Sequence, residues 1–243
     1  MFTLLRKEIS SFLSSLTGYL VIAVFLSAVG IIMWLFPGYL NVLDSGYSTI
    51  DTLFIVAPWV FLFLGPAITM RSFSEEKRTG TLELLVTRPL SDWQIVLAKY
   101  FAGFLLVVFS LLPTLVYYYS VSNLGATPGN IDSGGTWGSY IGLLFLAGAF
   151  VAIGLFASSL TESQIISFIL AVIISFVCYY GFEALGALGI MGSFDHLVIK
   201  LGINDHYLSM SRGVIDSRDV LYYFSLIFLF LLFTKTRLQS RKW

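Results

Sequence analysis

The sequence predicts an all-α integral membrane protein. It should form a bundle of six membrane-spanning helices, with an amphipathic N-terminal interfacial helix and a charged helix between the second and third spans. Three observations carry this. Of 243 residues 57% are hydrophobic and 12% charged, with a mean hydropathy of +0.87, whereas soluble domains carry about 25% charge. Several uncharged runs reach the roughly 20 residues that cross a bilayer. Between two of these runs lies Arg71 to Leu90, with seven charged residues: Arg71, Glu75, Glu76, Lys77, Arg78, Glu83 and Arg88. A segment so charged has to leave the lipid for water.

Taken in order, residues 1–16 read as the interfacial helix. Phe2, Leu5, Ile9, Phe12, Leu13 and Leu16 recur at spacings of three and four, and Arg6 and Lys7 can snorkel toward headgroups. The apolar run that follows is longer than a signal-peptide core and has no small-residue cleavage site after it, so no cleaved leader is expected. Residues 18–36 form the first span, stopped by Pro37-Gly38, and residues 53–70 the second, with Pro58 and Pro66 tolerable where neighbouring groups satisfy the freed backbone. Ser72 and Glu75 fit a capping box that opens a helix in the charged segment, 71–90. Ser91 and Gln94 fit another, with Leu90 and Ile95 as staple, and the third span lies within 94–122. The fourth, 139–160, opens on Gly138-x-x-x-Gly142, a spacing that lets helix backbones approach. Thr161 and Gln164 form a further capping-box pattern, so the fifth span, 163–182, should pack antiparallel to the fourth. Residues 183–216 contain only short apolar pieces and form an external segment. Asp216 is the N-cap of the last span, 217–236.

Charge placement orients the bundle. With both termini and the charged segment on one side, eleven of the fourteen Lys and Arg residues fall there and three opposite. The positive-inside rule then puts both termini and the charged helix in the cytoplasm.

Absences narrow the function. The spans carry ionisable residues only at their ends, which disfavours ion-coupled transport and voltage sensing. There is no G-x-x-x-x-G-K-[ST], H-E-x-x-H or G-x-S-x-G, so no P-loop of its own and no catalytic site are expected, and nothing points to nucleic acid. The single Cys178 cannot pair within the chain. His196 and His206 have no ligand-spaced companions and are expected to pack or hydrogen-bond, not to bind metal. Within the charged segment Leu82, Leu85 and Val86 share a face. Gly80, unfavourable in a helix by about 1 kcal/mol, either admits a close partner or splits the segment into two short helices.

The run Glu75-Glu-Lys-Arg-Thr-Gly-Thr-Leu-Glu-Leu-Leu-Val-Thr-Arg-Pro89 resembles the E-x-x-x-G-T-x-E-x-L-x-x-x-P signature of ABC-2 type transporter permeases, with Glu76, Gly80, Thr81, Glu83, Leu85 and Pro89 at the matching positions. The likeness extends to Lys7-Glu8 on an N-terminal helix, the six spans and the long external segment. Residues 206–219 resemble a segment, H-F-x-x-F-x-x-G-V-I-D-x-R-D, that precedes the last span in gliding-motility permeases of the GldF type and in copper-associated permeases similar to NosY. Tyr207 and Met210 stand where the pattern has Phe.

The resemblance implies a single ABC-2 membrane domain over residues 1–243, in a bacterial inner membrane and in contact with its lipid. It implies a cytoplasmic coupling helix that contacts a separate ATPase through Glu75, Glu76, Lys77, Arg78, Gly80, Thr81, Glu83, Leu84 and Pro89. ATP and Mg would be bound by that GldA-like partner, with no cofactor in this chain. A homodimer or a second membrane subunit, and an auxiliary subunit of the GldG type, are further implied partners. The competing readings are a membrane scaffold that recruits a non-ATPase partner, or a NosY-like permease.

Overall fold

The structure, a computed structural model, describes residues 1–86, 91–125, 127, 129–189 and 192–240, without the side chains of Thr17, 84–86 and Ser193. Among the described residues the chain is helical, with no strand. Helices α1 (Phe2–Ser14) and α2 (Leu16–Trp34) come first. Next, α3 (Asp51–Thr69) passes through a turn into α4 (Ser74–Arg78), followed by α5 (Thr81–Val86). Helix α6 (Asp92–Leu111) runs through a 3-10 turn, Leu112–Thr114, into α7 (Leu115–Leu124). Helix α8 (Ser133–Leu160) precedes α9 (Gln164–Phe176), which continues through a π-helical turn, Val177–Gly181, into α10 (Phe182–Ala187). The short α11 (Asp195–Ile199) and α12 (Ile203–Ser211) lead to α13 (Ser217–Gln239).

Five helical runs are long and apolar enough to cross a membrane: Asp51–Arg78, Asp92–Leu124, Ser133–Leu160, Gln164–Ala187 and Ser217–Gln239. The predicted first span corresponds to α2, bent by 62° from α1; it makes a sixth crossing only when that bent pair counts as one. The bend has a local cause. Ser15 is extended and its Oγ accepts from Gly18 N at 3.4 Å, so a new helix is capped where the old one ends. Of the predicted apolar face of α1, Leu5, Ile9 and Phe12 are half-buried while Phe2 and Leu16 are exposed; Leu4, outside that face, is the buried residue. The chain turns Leu4 inward because α1 packs against α6.

Helix α8 is the core of the bundle, packed against α3, α6, α9, α12 and α13. Small residues make this possible. A Cβ on Gly154 would stand 2.0 Å from Thr69 Oγ1 of α3. The Gly138-x-x-x-Gly142 spacing is used within the chain: a Cβ on Gly138 would lie 2.5 Å from Met210 O of α12 and 2.8 Å from Gly213 Cα. Gly213 itself has φ +83°, which L side chains rarely adopt.

Helix starts correct several expectations. Both bonds of the Ser91–Gln94 capping box form, at 3.2 and 3.3 Å. Leu90, its staple partner, lies outside the described residues, and Ile95 is buried. Asp216 caps α13 by accepting from Arg218 N at 2.9 Å. The Thr161–Gln164 box does not form: Ser163 is the N-cap, accepting from Ile166 N at 3.5 Å, and Thr161 Oγ1 donates to Ser163 O. Helix α8 starts at Ser133, six residues before the predicted span, because Asp132 Oδ1 accepts from Gly135 N at 3.0 Å and draws Gly134-Gly135 into its first turn. Pro113 sits in the 3-10 turn that divides the third predicted span.

Pro58 has a partner far along the chain. Proline at 58 donates no N–H to the carbonyl four residues back, Phe54 O. Tyr207 Oη donates to that carbonyl at 2.8 Å, buried, from α12. Burial pushes the Tyr207 hydroxyl well above its usual range, so it remains a donor. Tyr207→Phe is therefore expected to cost about 1–3 kcal/mol by orphaning a buried carbonyl. Adding Pro58→Ala, which returns the helical N–H, should recover much of the loss in thermal unfolding. Equal stability of Tyr207→Phe and the parent would refute the assignment.

Candidate functional site

The charged segment leaves α3 at a sharp turn, and its backbone is secured from another helix. The expected Ser72–Glu75 capping box is absent: Phe73 is the N-cap of α4 and makes no side-chain cap bond. Ser158 of α8 supplies the cap instead. Its Oγ accepts from Phe73 N at 3.0 Å and Ser74 N at 3.1 Å, and donates to Met70 O at 3.1 Å. A hydroxyl has one donor and two acceptor sites, so all are used. Phe73, Ser74 and Ser158 are fully buried. The Lys77 ammonium donates to Ser159 O, and Arg71 Nε donates to Gln164 Oε1 at 3.2 Å, which tie the segment to the α8–α9 junction.

Behind α4 lies a buried charge cluster. Lys99 of α6 is 3% exposed. Its Nζ stands 2.7 Å from Glu76 Oε1 and 3.2 Å from Glu8 Oε1 of α1, and 5.1 Å from the Phe73 ring centroid. A lysine buried this deeply is stable only with such partners. One ammonium thus fastens the N-terminal helix, the charged helix and the third predicted span. Glu76 Oε2 is buried without a hydrogen-bond partner among the described residues. A cavity of about 220 Å³ beside the cluster is lined by Lys7, Glu8, Arg71, Ser72, Glu75 and Lys99, among others.

Gly80 resolves the two options left by the sequence. It has φ +69° and divides the segment into α4 and α5. Around it Thr79 Oγ1 donates to Glu75 O at 2.8 Å and lies 2.9 Å from Thr81 Oγ1. The predicted contact residues separate accordingly. Glu75, Glu76 and Lys77 are half-buried, the last two bonded inward, whereas Arg78, Gly80, Thr81 and Glu83 are exposed at the knuckle. Leu82 is buried. Leu84 belongs to α5 through its backbone, while Arg88 and Pro89 lie outside the described residues.

At the opposite end, residues 206–219 fold as one unit. His206 Nδ1 is 2.7 Å from Asp219 Oδ1, Nε2 is 2.9 Å from Lys200 O, and the ring stacks on Tyr222 at 3.8 Å. The first and last residues of the resembling segment are thus in contact. Asp219, expected only as a helix-start residue, is 6% exposed and is the partner of His206. Near it a cavity of about 600 Å³ is lined by Trp59, Tyr179 and Tyr180 with Asp51, Asp132 and Glu183. Glu183 Oε2 accepts from Asn204 at 2.7 Å. Among the described residues no group of three or more His, Cys, Asp or Glu is placed to hold a metal ion.

A family model described as ABC-2 family transporter protein matches residues 35–202, more than half of the chain. The chain belongs to that family. No curated protein matches it. As an ABC-2 permease it is the multi-pass membrane component of an ABC transporter and pairs with an ATP-binding subunit that is a separate chain. The matched region includes the charged segment, Lys99 and Ser158, while Glu8 and the His206–Asp219 unit lie outside it.

Sequence patterns do not single out Lys99 or Ser158 as functional, and Glu8 enters only through the Lys7-Glu8 part of the family resemblance. Lys99 reads as a residue near a helix end, although a lysine followed by thirty-two uncharged residues is a signal for a buried partner. Ser158-Ser159 at the end of an apolar helix is a weaker sign, since such serines usually bond their own helix.

Proposed function

We propose that the α4–Gly80–α5 segment is the coupling element through which the ATP-binding subunit drives this permease. The observation that carries it is the division of labour in the segment. Arg78, Gly80, Thr81 and Glu83 face outward, while Glu76 and Lys77, one turn back, are bonded to α6, α1 and α8. A push on the knuckle therefore bears on three helices of the bundle together. Glu75, Leu84 and Pro89 complete the proposed contact set. The charge asymmetry supports placing this end and both termini in the cytoplasm of a bacterial inner membrane, with α2 as the first of six crossings. ATP and Mg belong to the partner, this chain carries no catalytic site, and two copies of the permease, or one with a second membrane subunit, form the membrane domain.

Within the family we favour the gliding-motility branch of the GldF type, with a GldA-like ATPase and a GldG-like auxiliary subunit. The support is the 206–219 segment, in which the His, Gly and Asp positions each serve the local fold. His206 bonds Asp219, Gly213 holds a positive φ and Asp216 caps α13.

Co-purification of the ATP-binding subunit with Glu83→Arg and Gly80→Trp tests the reading. Both variants are expected to lose that subunit. Glu83→Arg should leave thermal stability within about 0.5 kcal/mol, as for other exposed substitutions. A cross-linker at Thr79→Cys should capture the ATPase. Undiminished association in both variants, or capture of a non-ATPase protein alone, would sink the proposal and favour a scaffold.

A further inference from the structure

Between α6, α8 and α13 the bundle has a lateral cavity of about 470 Å³. Phe101, Phe104, Leu144, Phe145, Phe224 and Phe228 contribute to its lining, and the Tyr100 hydroxyl is the one polar side-chain group there. Phe101, Phe224 and Phe228 are exposed, so the cavity opens on the outer surface of helices that are candidate membrane spans. A trough so lined holds water poorly, because one hydroxyl falls short of the two to four polar partners a buried water needs.

The trough has a polar exit at the Trp93 end. Phe228 stacks on Trp93 with centroids 5.7 Å apart and planes at 17°, and Lys235 Nζ lies 5.2 Å from the Trp93 ring centroid. Lys235 follows Phe228 by seven residues, two helical turns or roughly 10 Å along α13. An apolar trough thus ends in a tryptophan and then in a cation, the order found where a span meets the membrane–water interface. Among the described residues Lys235 makes no ion pair. Asp92, the neighbour of Trp93, already has an interaction of its own.

We propose that this surface is a binding site for one anionic phospholipid of the leaflet on the α4 side. Its phosphate sits on Lys235, its glycerol region against Trp93 and an acyl chain in the trough. The trough selects a chain, and Lys235, which makes no ion pair among the described residues, selects the charge of the head. Trp93 and Lys99 lie on the same helix, so the lipid braces α6 from outside while Glu8 and Glu76 hold it from within. The inference does not depend on the coupling reading, because the site uses neither α4 nor α5.

Trp93 reports on its own site. Intact permease in nanodiscs of phosphatidylcholine is titrated with brominated phosphatidylglycerol or brominated phosphatidylcholine, and the quenching lost in Trp93→Phe isolates the signal of that residue. Half-maximal quenching is expected at about fivefold lower mole fraction for the anionic lipid, the worth of one lysine at an anionic surface. Lys235→Gln should bring the two lipids to parity, and Leu144→Phe, which fills the trough, should weaken both. Inorganic phosphate should not relieve the quenching, because it has no chain to occupy the trough. Equal quenching by the two lipids in the parent, an unchanged anionic preference in Lys235→Gln, or displacement by inorganic phosphate would each overturn the proposal.

Discussion

Lys99→Met is expected to remove about 3–5 kcal/mol of stability, the usual cost of deleting one partner of a buried ion pair. It should loosen α1 and α4 together. Methionine keeps the apolar stem of the lysine, so packing changes little and the effect isolates the charge. Without the ammonium, Glu8 and Glu76 face each other with no cation between them, and Glu76 has one oxygen already buried and unpartnered. Thermal unfolding and amide hydrogen exchange across Phe2–Ser14 and Ser74–Arg78 measure the two consequences. The triple variant Lys99→Met, Glu8→Gln, Glu76→Gln carries no charge at the cluster and should be more stable than Lys99→Met alone. Groups in one network do not contribute additively, and the recovery measures their coupling. A triple variant as unstable as the single one would show that Lys99 acts by packing, and the three-helix fastening would lose its basis.

Helix positions were legible in the sequence wherever local rules decide. Ser91–Gln94 and Asp216 cap the helices they precede, and Pro37-Gly38 follows the end of α2. Two of the errors share one cause, which is tertiary substitution for a local bond. Ser72 had the right spacing to box with Glu75, but the start of α4 is secured instead by Ser158, a distant residue in sequence, which accepts from Phe73 N and Ser74 N. Gln164 had the right spacing for a box with Thr161, but its side chain turns to Arg71. Both failures occur where the charged segment is fastened to the bundle. Pro58 was recognisable as a backbone defect, yet its remedy, the hydroxyl of Tyr207, lies on the far side of the chain and no periodicity marks it. The exposed half of the charged segment was readable because it must stay in water. Its buried fastening, Lys99 with Glu8, became visible only when three separate helices were placed together.

Ser158→Ala separates the two fastenings of α4. The substitution deletes the acceptor for Phe73 N and Ser74 N, which are fully buried. Each orphaned group costs about 1–3 kcal/mol, so the variant is expected to lose about 2–6 kcal/mol. The carbonyl of Met70 keeps a donor in the Ser74 hydroxyl, and the loss should therefore concentrate on the two amides. Their hydrogen exchange should accelerate, while α1 stays protected because Glu8 still meets Lys99. Lys99→Met exposes α1 and α4 together; Ser158→Ala should expose α4 alone. If the coupling reading holds, Ser158→Ala retains the ATP-binding subunit, since the knuckle residues Arg78 to Glu83 are unaltered, but it transmits less of the motion to α8. An ATPase that stays bound and turns over while transport fails is the expected signature. Equal loss of α1 protection in both variants would mean that the serine and the lysine belong to one cooperative unit, and that the segment cannot move relative to α8 without breaking its contact with α1.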